Sequence, residues 1–147
     1  MIERALLIAI RPRFADMIFK GEKTVELRRV RPKIENGDLA LVYVSSPIMA
    51  LRGGFEVEKV ISETPETLWT LIGNKAGISR SEFLAYFTGK KIAHALVIKR
   101  AWELPAPVRL GRIRSWTISS RPPQSYHYIR NIACPKSLKR LVKITVR

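Results

Sequence analysis

IRPRFADMIFKGEKTVELRR, residues 10–29, holds two periodicities in twenty positions. Ile10 closes ALLIAI (5–10), a continuous apolar run of strand length. Pro12 then suits the first turn of a helix. Phe14, Met17 and Ile18 recur at the spacing of one apolar helical face. Gly21 is a natural helix stop. KTVELRR (23–29) comes next, with the period-two alternation of a strand. That alternation sets Glu26 and Arg28 on one face and Lys23 and Arg29 on the other. Two readings compete. One is an edge strand whose charges discourage aggregation. The other is a cleft of mixed charge, where a carboxylate accepts from a base and lysine and arginine hold phosphate.

Outward from this stretch, NGD (36–38) signals a turn. LALVYVS (39–45) is apolar on both faces, as a strand inside a barrel would be. Gly53-Gly54 predicts a bulge or a close backbone approach, and FEVEKVI (55–61) alternates like a strand. Thr64-Pro65-Glu66 opens a helix with Leu68, Leu71 and Ile72 as its core face. Ser79-Arg80-Ser81-Glu82 fits a capping box before Phe83, Leu84 and Phe87, and Gly89 ends that helix. KIAHALVIK (91–99) is a further strand. Pro105, Pro107, Pro122 and Pro123 interrupt the segment after it. PPQSYHYI (122–129) reads as turning into a short helix, and the tail from Pro135 as helical. No repeat or linker divides the chain. The expectation is one α+β domain over 1–147, a small β-barrel of five or six strands with inserted and C-terminal helices.

The bulk numbers agree with a folded domain and narrow its partners. The 147 residues are 46% apolar, enough for a core. No apolar run approaches a membrane span, and the N-terminus lacks the long apolar region of a signal peptide. Cys134 stands alone, so no intrachain disulfide forms, and with His94 and His127 the only histidines a metal site is not expected. A reducing, cytoplasmic setting is then the default. No cofactor motif occurs: there is no glycine-rich phosphate loop, HExxH or G-x-S-x-G. Charge is the strongest bulk signal. The net is +15, and after Glu103 there is no acid at all: residues 104–147 carry 10 basic side chains. Such a field attracts polyanions by counterion release.

Several side chains are candidates beside the motif. Ser45 and Ser46 end an apolar strand, where hydroxyls serve a turn or a phosphate. Trp69 sits among Leu68 and Ile72 and reads as core. Trp102 and Trp116 lie in basic, proline-rich surroundings and read either as stacking platforms or as packing. Tyr126 and Tyr128 beside Arg121 and Arg130 interleave aromatic and basic groups, as single-stranded nucleic acid favours. His94, mid-strand between alanines, reads as a satisfied core or edge histidine.

Strand, proline-started helix, glycine and charged strand in that order resemble the ASCH domain family of PUA-like barrels. Its G-x-K-x-x-E-x-R signature is met by Gly21, Lys23, Glu26 and Arg28. GFEVEKVI and AGISRSEFLAYFTGKKIAHALVIK resemble the family's later elements, and PPQSY resembles a segment near the end of archaeal-type members. The resemblance implies a barrel with the charged motif in a cleft that binds RNA or another nucleic acid. The candidate contacts are then Arg11, Lys23, Glu26, Arg28, Arg29, Ser45, Ser46, Arg121, Gln124, Ser125 and Tyr126. It also implies two enzyme alternatives. Some small members of the family hydrolyse acetylated cytidine with a lysine, a threonine and a glutamate. Lys23 matches the lysine, Glu26 replaces the threonine, and the glutamate's place falls near Ala76. Cleavage of RNA would instead use Lys23 and Glu26 as an acid-base pair.

Three functions remain in view. The first is a module for single-stranded or structured RNA, with no membrane partner. The second is a hydrolase acting on RNA or a modified nucleoside. The third is a binder of a protein or small anion, whose affinity would not respond to salt.

Overall fold

A computed structural model describes residues 4–109 and 126–130. In these the order is β1 (Arg4–Ile10), α1 (Pro12–Phe19), β2 (Val25–Arg28), β3 (Leu39–Val44), β4 (Ala50–Glu63), α2 (Pro65–Ile72), a 3₁₀ turn (Gly73–Lys75), α3 (Arg80–Tyr86), β5 (Ala93–Arg109) and β6 (Tyr126–Arg130). The strands form one curled sheet in the order β2-β5-β4-β3-β1-β6. The pair β1 and β3 is parallel, with Ile10 beside Val44, and every other pair is antiparallel. The expected α+β barrel with inserted helices is what forms. The expected C-terminal helix lies outside the described residues.

Local chemistry explains the boundaries. Pro12 begins α1, and Gly21 at φ 79° takes the left-handed turn that releases the chain toward β2. Thr64 caps α2 by accepting from the Thr67 amide, and Ser79 caps α3 by accepting from the Glu82 amide.

Burial divides the sheet into two faces. On one, Leu6, Ile8, Ile10, Val42, Val44, Phe55 and Leu96 pack with Ile18 of α1. On the other, at the β2–β5 end, Val25, Leu27, Ala93 and Ala95 pack with Leu68 and Ile72 of α2 and with Phe83 and Phe87. Further along, Leu7, Leu41, Tyr43 and Leu51 form a third cluster with Trp102.

Four expectations need correction. The strand read over 91–99 runs on to Arg109, through Pro105 and Pro107. Register explains it: Gly53 pairs with Glu103 and Leu51 with Val108, so both prolines ride in a wide bulge that asks nothing of their missing N–H. Residues 126–130 are a strand antiparallel to β1 rather than a helix, because the β1 edge opposite β3 offers them a ladder. Leu71 is 52% exposed, since only Leu68 and Ile72 of its helix face the sheet. Trp102, a stacking candidate, is 6% exposed within the core. Trp116 lies outside the described residues.

The glycine pair fulfils its expectation. Arg52 is skipped in both ladders, and Gly54 lies flat against its neighbours. A methyl on Gly54 would sit 2.6 Å from the Ala40 carbonyl oxygen and 2.7 Å from the Trp102 ring. Backbone on one side leaves no room to relax. Gly54→Ala is expected to destabilise the fold by about 1–3 kcal/mol, read from the midpoint of urea unfolding.

Candidate nucleic-acid interface

The G-x-K-x-x-E-x-R motif lies inward, not on a solvated edge. Lys23 is 3% exposed, Glu26 7% and Arg28 9%. Strand alternation carries Glu26 and Arg28 to the face that holds Leu96. Lys23 departs from the expected opposite face because β2 starts only at Val25, so residues 23 and 24 escape the alternation. Their backbone instead closes two neighbours: the Lys23 amide donates to the Met17 carbonyl and the Thr24 amide to the Lys75 carbonyl. The Lys23 side chain thereby reaches the same cluster as Glu26 and Arg28.

Each charge has a definite setting. Lys23 Nζ donates to the Ala76 carbonyl at 2.6 Å and stands 5.2 Å from the centre of the Phe14 ring. Arg28 Nη2 donates to the Ala9 carbonyl at 2.9 Å, a bond from β2 to β1 that crosses the mouth of the curled sheet. Arg28 Nε lies 4.0 Å from Glu26 Oε1. Glu26 Oε2 is buried and accepts no hydrogen bond among the described residues. Burial pushes the Lys23 amine below the ordinary lysine range; Glu26 opposes that fall, and Arg28 and Arg13 add to it.

Other expected site residues divide. Arg11 is exposed at the start of α1, and Ser45 comes directly after β3, its amide bonded to the Ile10 carbonyl. Because β1 and β3 run parallel and end together, Arg11, Ser45 and the exposed Ser46 gather at one rim of the sheet. The Ala9 carbonyl places Arg28 beside that rim. Tyr126 opens β6 opposite Ile8, so its backbone reaches the same end. Arg29 is exposed and engaged elsewhere: Nη1 donates to the Tyr86 and Thr88 carbonyls and so caps the end of α3. Arg121, Gln124 and Ser125 lie outside the described residues.

Sequence reasoning missed three contributors to this cluster. Phe14 offers its ring face to Lys23 and also, at 4.5 Å, to Arg13. Ala76 contributes a backbone carbonyl, which no residue pattern advertises. Arg13 sits near enough to lower the Lys23 pKa while paired with Glu82 at 2.9 Å. Its position ten residues before Lys23, across a helix that folds back, was the only available hint. A groove of about 1010 Å³ lies between α2 and α3, lined by Met17, Trp69, Lys75, Ile78 and Glu82, but none of the three buried charges lines it. Among the described residues no group of three or more His, Cys, Asp or Glu could hold a metal, and no helix is long and apolar enough to cross a membrane.

A family model described as the ASCH domain matches residues 8–104. An ASCH domain-containing ribonuclease of Zymomonas mobilis is 27% identical over 139 residues, covering 95% of this chain and 90% of that protein. The crystal structure of ASCH from Zymomonas mobilis superposes with a TM-score of 0.83 at 27% identity, covering 96% and 95%. The large ribosomal subunit protein uL22 of Ureaplasma parvum is 30% identical over 126 residues; the match takes in 85% of this chain but 39% of that protein.

The Coulombic coupling in the cluster has a measurable sign. Glu26 raises the Lys23 pKa and Arg28 lowers it. Glu26→Gln is therefore expected to lower the Lys23 pKa further, and Arg28→Met to raise it. Carbon-13 NMR of the Lys23 ε-carbon across a pH titration reads both.

Proposed function

The chain belongs to the ASCH domain family, and from that premise we propose that it is an RNA-binding module whose contact cleft is the buried Lys23, Glu26, Arg28 cluster and the rim beside it. One observation carries the reading: Glu26 Oε2 is buried beside two cations and accepts no hydrogen bond among the described residues. Leaving a buried acceptor unmatched costs about 1–3 kcal/mol, so its retention fits a ligand donor. A nucleobase amino or imino group is such a donor. Lys23 and Arg28 would face base acceptors or phosphate on either side of it. Arg11, Ser45 and Ser46 at the rim, with Arg121, Gln124, Ser125 and Tyr126 on the acid-free segment, would track the backbone. Unstacked bases that can enter such a cleft belong to single-stranded or looped RNA. Arg29 is better placed to hold α3 than to touch ligand.

A second reading draws on the same residues. The Zymomonas mobilis relative is named a ribonuclease. Lys23, with its pKa lowered by burial, exchanges protons nearer neutrality, as general acid-base chemistry requires, and Glu26 is within its electrostatic reach. Cleavage of RNA is therefore the alternative. Deacetylation of a nucleoside has less support: Ala76 meets Lys23 only through its carbonyl, and the position has no carboxylate.

Fluorescence anisotropy with matched single-stranded RNA, single-stranded DNA and duplex DNA at two salt concentrations tests both readings, with the endpoint RNA run on a gel. Salt-sensitive RNA binding is expected. Lys23→Ala should weaken it by about 1 kcal/mol or more, roughly fivefold, on any sequence. Equal binding by native protein and Lys23→Ala would overturn the cleft assignment, and shortened RNA would transfer the case to cleavage.

A further inference from the structure

Beyond the motif, the same face of the sheet carries a second polar row. Arg28 of β2 pairs in register with His94 of β5, and His94 pairs with Ser62 of β4. Partners directly opposite in an antiparallel ladder point to the same side, so the three side chains line up across three strands. They stand one row beyond Glu26, Leu96 and Val60. Arg31, just past β2, leans back over the row: its Nη1 donates to Ser62 Oγ at 3.0 Å, and Ser62 Oγ lies 2.8 Å from His94 Nδ1.

Donor logic sets the direction of the first of these bonds. A guanidinium only donates, so Ser62 Oγ accepts from Arg31. The bond between Ser62 Oγ and His94 Nδ1 runs in the direction the ring tautomer sets, and in the tautomer that takes the Ser62 hydrogen at Nδ1 the other ring nitrogen, Nε2, is an N–H donor. Burial keeps His94 below the ordinary histidine range, and the positive charges of Arg31 and Lys90 add to this, which suits the neutral tautomer. Among the described residues neither Arg31 nor Lys90 takes part in an ion pair. Arg31 is exposed and Ser62, His94 and Lys90 are half-buried, so the row is both ordered and reachable.

We propose that Arg31, Ser62 and His94 form a phosphate-binding subsite, flanked by Lys90, that takes the phosphate next to the nucleotide held over Glu26. Arg31 supplies guanidinium donors beyond the one given to Ser62, and His94 supplies Nε2–H. As a subsite for nucleic acid this rests on the RNA reading above; as a phosphate site it does not. A guanidinium fork and a neutral imidazole donor, with no carboxylate bonded to them among the described residues, match a phosphate diester or monoester better than a carboxylated or neutral ligand.

The 147-residue chain is titrated with inorganic phosphate, and separately with the single-stranded RNA that binds in anisotropy, while the His94 ring resonances are monitored by NMR. Inorganic phosphate is expected to move the His94 signals saturably. Arg31→Met should reduce that affinity at least fivefold, with the methyl spectrum showing an intact fold. The same variant should lower the log–log salt slope of RNA binding by about 0.7, one phosphate of a single strand. His94 signals that ignore phosphate, or that shift equally in Arg31→Met, overturn the subsite. If they ignore phosphate while RNA binding still depends on Lys23, the subsite alone fails. If phosphate is bound as described and no RNA binds, the RNA reading fails and the subsite stands as one for free phosphate.

Discussion

The bond from Lys23 Nζ to the Ala76 carbonyl, 2.6 Å long and buried, decides where everything else near the motif must be. β2 has only four residues and, among the described residues, a ladder partner on one side, β5. Such a strand needs ties besides its ladder. Lys23 and the Thr24 amide fasten its start to the turn after α2. Arg28 fastens its end to β1. Arg29 and the Tyr86 hydroxyl, which donates to the Leu27 carbonyl, fasten its outer side to α3. The charges that would read a ligand are thus also the charges that position one another.

That double duty has an energetic side. A buried ammonium bonded to a neutral carbonyl is desolvated without full compensation, and its lowered pKa records the imbalance. Folding stability linked to Lys23 accordingly grows as pH rises from its folded pKa toward 10.5, because the unfolded chain binds the proton more tightly. A core built for stability alone would place an apolar side chain here. The strain is carried by apolar burial on both faces of the sheet and by the long β4–β5 ladder.

Legibility of the fold tracked the range of the forces involved. Local rules were enough for α1, which starts at Pro12, for α2 and α3, whose caps are Thr64 and Ser79, and for the glycine at position 21. Motif residues were legible as a group because their spacing is short. The features that escaped were set by distant partners. Prolines 105 and 107 read as breakers, yet a bulge opposite Arg52 absorbs them. Tyr126–Arg130 has no periodicity that outweighs its neighbours; the β1 edge makes it a strand. Lys23 was assigned to the wrong face because alternation was applied two residues before the strand begins. His94 read as a satisfied histidine, and it is satisfied, but by Ser62 from another strand, a pairing that only register reveals.

The placement of β1 has a consequence for how the molecule comes into being. β1 is flanked by β3 on one side and β6 on the other, so Ala5 meets both Leu39 and Ile129. Strand β1 therefore receives its second neighbour only after some 120 further residues have been made. Until then one edge of an almost wholly apolar strand stands open, an invitation to pair with the wrong chain. Closing that pairing spans nearly the whole chain, and contacts of such long range make for slow folding. Synthesis must outrun aggregation at this edge, and the last described strand is also the seal of the first.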